Sequence, residues 1–135
     1  MASTRHIEDQ HSIALATWVA ANEQRHPELQ FLSHWPNGGM RDRQVDRNGV
    51  TYSPSGVRLK KMGTRKGPLD YWLFARRLGF AGMAFEMKAP GQKATQDQLK
   101  WSKHLAEQGW HVPGPFDDWT LAVREIERYL ALPAS

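Results

Sequence analysis

The sequence predicts an α/β fold in which a mixed β-sheet is flanked by α-helices. Apolar patterns and turn residues divide the chain in the order helix, strand, helical turn, strand, strand, helix, strand, helix. This order favours a sheet covered by helices. The 135 residues suit a single domain, 1–135, with a core of its own. With 40% hydrophobic and 24% charged residues, the composition excludes wholesale disorder.

The first predicted element is an amphipathic helix over about residues 5–22, with Thr4 as its N-cap. Pro27 ends this region, and residues 29–35 predict the first strand. The residues that recur at helical spacing, and therefore share one face of this helix, are Ile7, His11, Ala14, Leu15, Trp18 and Val19.

The segment after the first strand lacks a clear periodicity. Residues 36–39 read Pro-Asn-Gly-Gly, which predicts a turn, and the polar residues 40–53 predict a mobile loop. A short helix is expected from Ser53 or Pro54 to about Met62, because Gly63 is a typical helix stop.

Two strands are predicted over residues 69–74 and 83–88, joined as a hairpin by residues 75–82. Side chains alternate along a strand. Ala84, Glu86 and Lys88 should therefore share one face. The opposite face should carry Met83, Phe85 and Met87, which are suited to the core.

The last third of the chain predicts two helices with a short strand between them. The first helix begins at Thr95 and runs to about Gln108 before Gly109, and residues 110–112 follow as a candidate strand. Asp117 or Asp118 should cap the final helix. Its apolar face carries Trp119, Ala122, Val123, Ile126 and Leu130.

Positive charge is concentrated in residues 41–66. This segment holds eight Lys or Arg residues against two Asp, while the whole chain carries a net charge of +4. Such a segment suits a polyanion such as nucleic acid, whose phosphates dominate binding affinity. A solvated basic loop without a partner explains the charge equally well.

The pattern with the clearest chemistry is Asp70 followed sixteen residues later by Glu86-x-Lys88. If Asp70 ends the neighbouring strand, two carboxylates converge beside an ammonium group. Oxygen ligands suit hard cations such as Mg²⁺ or Mn²⁺, and metal-dependent nucleases use this arrangement around a scissile phosphate. The alternative is a solvent-exposed ion pair between Glu86 and Lys88 on an edge strand.

Several motifs in order resemble the VRR-NUC group of the PD-(D/E)xK nuclease superfamily, over a match that runs from Glu8 to Leu130. Members have Glu-x-x-Gln on a first helix, a His-x-Pro-Asn-Gly-Gly turn, a Gly-x-Arg-x-Gly-x-Pro-Asp run, Glu-x-Lys, and a Ser-x-x-Gln helix start. The matching segments here are Glu8-Asp9-Gln10-His11, residues 34–39, 63–70 and 86–88, and Thr95-Gln96-Asp97-Gln98. In this sequence Pro68 stands one place earlier than the family's proline, which directly precedes the aspartate.

The resemblance implies a restriction-endonuclease-like fold and a set of site residues. Asp70 and Glu86 would bind the metal ion, with the Met87 carbonyl as a third ligand. Lys88 would be the catalytic amine. Glu8 would add an acidic group, directly or through water. Gln98 would lie near the site, although an ordinary polar residue at a helix N-terminus is an equal alternative.

Other residues are candidates for DNA contacts. His34 and Asn37 flank the glycine turn, where a hydrogen-bonded turn is the alternative to phosphate contact. The basic candidates are Lys60, Lys61, Arg65 and Lys66. The six tryptophans are expected mainly in the core, with base stacking by Trp35 or Trp110 as the less favoured alternative.

The expected function is therefore an Mg²⁺- or Mn²⁺-dependent DNA endonuclease. Short members of the group are associated with homodimers that cleave four-way junctions, so a homodimeric Holliday junction resolvase of phage or bacterial type is the leading hypothesis. The alternatives are a flap or nicking endonuclease, a non-catalytic DNA-binding module, and a structural protein with a coincidental motif. The absence of cysteine and of any apolar run near 20 residues predicts a cytoplasmic protein without a membrane span.

Overall fold

The computed structural model describes residues 4–35, 44–52, 54–63 and 69–134. No helix in these ranges is both long and apolar enough to cross a membrane. The elements are helix α1 (Thr4–Asn22), a 3-10 helix (Pro27–Phe31), strands β1 (Leu32–His34), β2 (Gln44–Val45) and β3 (Thr51–Tyr52), helix α2 (Pro54–Lys61), strands β4 (Tyr71–Leu73) and β5 (Met83–Phe85), and helices α3 (Gln96–Glu107) and α4 (Trp119–Leu130).

The main sheet has β4 at its centre, antiparallel to β1 on one side and to β5 on the other. Tyr71 of β4 lies opposite His34 of β1 and Phe85 of β5. The outer edge of β5 is extended by two parallel bridges, from Met83 to His111 and from Met87 to Phe116. The sheet is thus mixed, as predicted.

Helices cover both faces of this sheet. On one face, Met83 and Phe85 pack with Leu15 of α1 and Ile126 of α4 in the larger apolar cluster. On the other face, Ala84 packs with Leu69 and with Leu105 of α3. The predicted alternation along β5 is confirmed, and the backbone after β5 is enclosed between two helical layers.

Close packing at one turn requires glycine. A Cβ atom on Gly82 would lie 2.6 Å from the ring of Trp110 and 2.7 Å from the carbonyl oxygen of Leu73. Gly82 also accepts the N–H of His111 through its carbonyl. The small residue therefore allows the segment around His111 to lie alongside β5.

The helix predictions are confirmed, with α3 starting after Thr95 and α2 followed by Gly63 at a φ of +98°. Asp118 is the residue that caps α4, since its side chain accepts the N–H of Thr120 at 2.8 Å. The backbone of α1 is already helical at Thr4, the predicted N-cap. The predicted strand 110–112 reduces to one bridge at His111.

Two predictions around β1 are corrected. The strand predicted over residues 29–35 is shorter, because the chain from Pro27 forms a 3-10 helix that buries Leu29 and β1 begins only at Leu32. The loop predicted over 40–53 contains the β2–β3 hairpin. Its turn is stabilised by Asp46, whose carboxylate accepts the N–H groups of Asn48 and Val50 at 2.8 and 2.9 Å.

The two neighbouring aspartates before α4 offer a direct test of helix capping. We expect Asp118→Ala to lower the free energy of unfolding by about 1 kcal/mol, because the backbone N–H and the hydroxyl group of Thr120 lose their acceptor. Asp117→Ala, at an exposed neighbouring position, should change it by less than about 0.5 kcal/mol. Urea denaturation measures both variants, and equal losses would contradict the assigned cap.

Candidate functional site

Asp70 and Glu86 meet at the same end of the sheet. Asp70 directly precedes β4 and Glu86 directly follows β5, so the register that pairs Tyr71 with Phe85 brings them opposite each other when it is continued by one residue. The backbone N–H of Asp70 donates to Oε2 of Glu86 at 3.0 Å. The structure thus brings together the two carboxylates that the sequence singled out.

Glu86 is held at its other oxygen by α3. The side-chain amide of Gln98 donates from Nε2 to Oε1 of Glu86 at 2.6 Å. Gln98 is itself fixed by a capping box, because its Oε1 accepts the N–H of Thr95 while its N–H donates to Thr95 Oγ1. Gln98 therefore has both features: it belongs to the capping box at the N-terminus of α3, and it holds the carboxylate of Glu86.

The environment of Glu86 strongly favours its protonated form. Burial, which leaves the residue 6% exposed, is the largest cause, and the nearby Asp70 carboxyl adds its charge and a hydrogen bond. Together they raise the pKa of Glu86 from its ordinary 4.5 to about 9, against the opposing effects of the Asp70 N–H and the charge of Lys88. The exposed ion pair considered as an alternative is therefore wrong for Glu86.

Lys88 lies half-buried two residues beyond Glu86 on the same side of the strand. Its backbone N–H donates to the carbonyl of Phe116 at 2.8 Å, which fixes the chain at this point. The side chain of Met87 is directed into the core and is 4% exposed, so only its backbone carbonyl is available to a site on the other face.

Glu8 joins α1 to the same region. Its Oε1 accepts the backbone N–H of Ala89 at 3.1 Å, one residue after Lys88. Within the described ranges, no three His, Cys, Asp or Glu side chains converge to hold a metal ion. Asp70 and Glu86 are in contact with each other, whereas Glu8 contacts the backbone at Ala89.

His34 lies opposite Tyr71 in the sheet, on the face that carries the larger apolar cluster, and it is close enough to Asp70 to respond to its charge. Its ring stacks on that of Tyr71, with 4.2 Å between centroids and 2° between planes. Burial lowers the pKa of His34, and the charges of Asp70 and Asp9 partly offset this effect. The neutral imidazole is thereby favoured, so a contact with phosphate would use an N–H donor rather than a full positive charge.

The remaining predicted DNA contacts divide by position. Lys60 and Lys61 are exposed in the last turn of α2. Asn37, Arg65 and Lys66 lie outside the described residues, as does Pro68, whose shift from the family pattern was noted above.

The prediction that Trp35 packs in the core is wrong. Its side chain is 62% exposed. Its backbone N–H donates to the carbonyl of Asp70, which continues the β1–β4 pairing to the site. Trp110, by contrast, packs against the cluster of Leu69, Ala84 and Leu105 as predicted. The sequence signal for Trp35 was its position directly before Pro36-Asn37-Gly38-Gly39, at the end of the predicted strand.

Comparison with known proteins identifies the fold. No family model matches the chain, and no curated protein matches it. A solved structure described as a VRR_NUC domain protein superposes with a TM-score of 0.67, covering 98% of this chain and 93% of that chain at 20% sequence identity. The chain therefore has the fold of that protein, an α/β fold in which helices flank the sheet, as the sequence predicted.

The buried carboxylate of Glu86 should make stability depend on pH in a defined direction. Because the pKa of Glu86 is raised on folding, the folded chain binds more protons than the unfolded chain between about pH 4.5 and pH 9, and its stability falls across that window. Asp70→Asn removes a like charge and should reduce this fall. In thermal unfolding without divalent cations, the melting temperature of Asp70→Asn should increase relative to that of the wild type as pH rises.

Glu107→Gln is the matched control, because Glu107 is an exposed carboxylate in the last turn of α3. Its melting temperature should follow that of the wild type at each pH. An Asp70→Asn variant with the same pH dependence as the wild type would contradict the assigned coupling.

Proposed function

We propose that the chain is a metal-dependent DNA endonuclease of the VRR-NUC family. The observation that carries the proposal is the pair Asp70 and Glu86 on the fold of a VRR_NUC domain protein, joined by the N–H of Asp70, with Gln98 donating to Glu86. A buried carboxylate destabilises a protein unless a partner compensates it. A cation between the two groups would supply that compensation and the chemistry of phosphodiester hydrolysis.

The residues fit Mg²⁺ or Mn²⁺. Carboxylate oxygens are ligands of hard cations, and Mg²⁺ usually binds through one or two carboxylates while it keeps waters or substrate oxygens. Asp70 and Glu86 provide such a set, and the Met87 carbonyl is proposed as a further ligand. When bound, the ion would stabilise negative charge on the phosphate and lower the pKa of a water molecule.

The protein groups have separate proposed roles. Asp70 and Glu86 would bind the cation, which would replace the proton that the environment of Glu86 favours. Lys88 neutralises charge on the phosphate and orients the attacking water. Gln98 keeps Glu86 in position. Glu8 fixes the backbone at Ala89, and an acidic role at the metal through water is also proposed for it.

The substrate class rests on charge and on the resemblance. The proposed contacts with the DNA backbone are consistent with the basic segment 41–66. The residues proposed to make them are His34, Asn37, Lys60, Lys61, Arg65 and Lys66. We further propose a homodimer that resolves four-way junctions in the cytoplasm of a bacterial or phage-infected cell. A two-fold dimer would present two sites to opposite strands of a symmetric junction.

Cleavage assays with labelled four-way junction, flap and linear duplex test this function. We expect cutting with Mg²⁺ or Mn²⁺ that falls by at least about 100-fold in Lys88→Ala, because a charge-stabilising group is lost. Lys93→Ala, which alters an exposed loop lysine, should cleave at the wild-type rate. Cutting of flaps or linear DNA alone would favour the flap or nicking endonuclease.

Two results would contradict this proposal, the first in the role of Lys88 and the second in the enzyme as a whole. A Lys88→Ala variant that cleaves as fast as the wild type would remove Lys88 from the reaction. Tight DNA binding without any metal-dependent cutting would favour the non-catalytic DNA-binding module.

Metal binding should compete with the proton at Glu86. We expect Mn²⁺ to raise the melting temperature more at about pH 8.5 than at about pH 6, because the cation requires the deprotonated carboxylate. Asp70→Asn should lose most of this increase, and Glu107→Gln, which alters an exposed carboxylate at the end of α3, should retain it. A pH-independent effect, or one retained in Asp70→Asn, would place the cation elsewhere.

A further inference from the structure

Three large aromatic side chains are exposed on the β1–β4 part of the sheet. Phe31, Trp35 and Phe74 are 61%, 62% and 52% exposed, and we call them the aromatic row. Phe31 accepts the N–H of Phe74 through its carbonyl, and Trp35 donates its N–H to Asp70, so the row follows the β1–β4 pairing from end to end.

The aromatic row lies on the same face of the sheet as the candidate site. Trp35 shares the face of Ser33 because side chains alternate along a strand. Phe31 ends the 3-10 helix, and its backbone pairs with Phe74, which lies on the same face as Trp72. Ser33 on that face pairs with Trp72, which stacks against Phe74 and contacts Trp110 edge-on. This is the face on which α3 packs, yet Leu105 of α3 covers Ala84 of β5 and leaves the row exposed.

Trp35 is the member of the row nearest to the carboxylates. Cross-strand neighbours have Cβ atoms about 5 Å apart, so the indole adjoins Asp70 on one side as Glu86 does on the other. Phe31 precedes Trp35 by four residues, which corresponds to about 13 Å along an extended strand. A polymer held at the site would therefore pass over the row within a few of its units.

The chemistry of the row selects one kind of polymer. Exposed aromatic rings stack on nucleobases, and the ammonium of Lys88 and the net charge of +4 attract an anionic strand. The faces of paired bases inside a duplex are already covered by their neighbours. A ring at Trp35 is thus available only to a base that is unpaired or turned out of the helix.

We propose that Trp35, with Phe31 and Phe74, stacks unpaired bases next to the scissile phosphate. The protein then selects DNA that is single-stranded or open at the point of cutting, over continuous duplex. This inference rests on the proposed nuclease function and identifies the substrate class of that site.

Binding measured in EDTA separates this inference from catalysis. Fluorescence anisotropy would compare labelled oligothymidine with a fully paired duplex of equal length. We expect Trp35→Ala to weaken oligothymidine binding by about 5- to 150-fold, the loss of one stacked base, and duplex binding by less than about 2-fold. Trp35→Phe should bind oligothymidine nearly as the wild type does, because it keeps a stacking ring.

Ile13→Ala is the matched control, since Ile13 is an exposed apolar side chain on α1. It should leave binding to both DNAs unchanged. Equal weakening of both DNAs by Trp35→Ala, or no weakening at all, would overturn the inference. A molar mass of Trp35→Ala in light scattering that differs from that of the wild type would also overturn the inference. The aromatic row would then be an interface between copies of the chain.

Failure of the proposed function gives a different result. A wild-type protein that binds neither DNA overturns both the function and this inference. A wild-type protein that cleaves DNA, with a Trp35→Ala variant that binds oligothymidine normally, overturns the base-stacking role and leaves the nuclease intact.

Discussion

The hydrogen bonds to the carboxylate of Glu86 connect the elements on which this site depends. The N–H of Asp70 reaches one oxygen from the start of β4, and Gln98 reaches the other from the first turn of α3. Glu86 itself follows β5. The three elements are separated in the chain, and they have their common polar contact at this side chain. Movement of either partner would leave a buried carboxylate oxygen without a donor, which is costly. The site therefore constrains how α3 is placed against the sheet.

This arrangement has a cost that the rest of the fold offsets. Burial next to a second carboxylate disfavours the charged form of Glu86, so the group destabilises the folded chain where it must ionise. The apolar clusters on both faces of the sheet hold the strands despite that cost. A polar arrangement that weakens the isolated protein is expected where a ligand later compensates it, because function and stability favour different side chains.

The local parts of this structure could be predicted from the sequence, and the long-range contacts could not. Helical spacing and capping residues predicted α1, α3 and α4, and alternation predicted which face of β5 carries Glu86. The contact between Glu8 and Ala89 joins residues 81 apart, and no periodic pattern encodes it. Exposure was the least predictable property. Tryptophan is a residue type typical of protein cores, but the exposure of Trp35 depends on which element covers it. Helix α3 packs over the β5 side of that face and leaves Trp35 exposed.

The same packing determines the direction from which a substrate reaches the carboxylates. The outer side of β5 is occupied by the segments around His111 and Phe116, which pair with it in parallel. The remaining face near Glu86 is occupied by the N-terminus of α3 through Gln98. On the side of β1, the neighbour of Asp70 is Trp35, whose side chain is exposed. Under the proposed function, a nucleic acid strand would approach over β1, and we expect the residues that distinguish one DNA structure from another on or next to that strand rather than on α3.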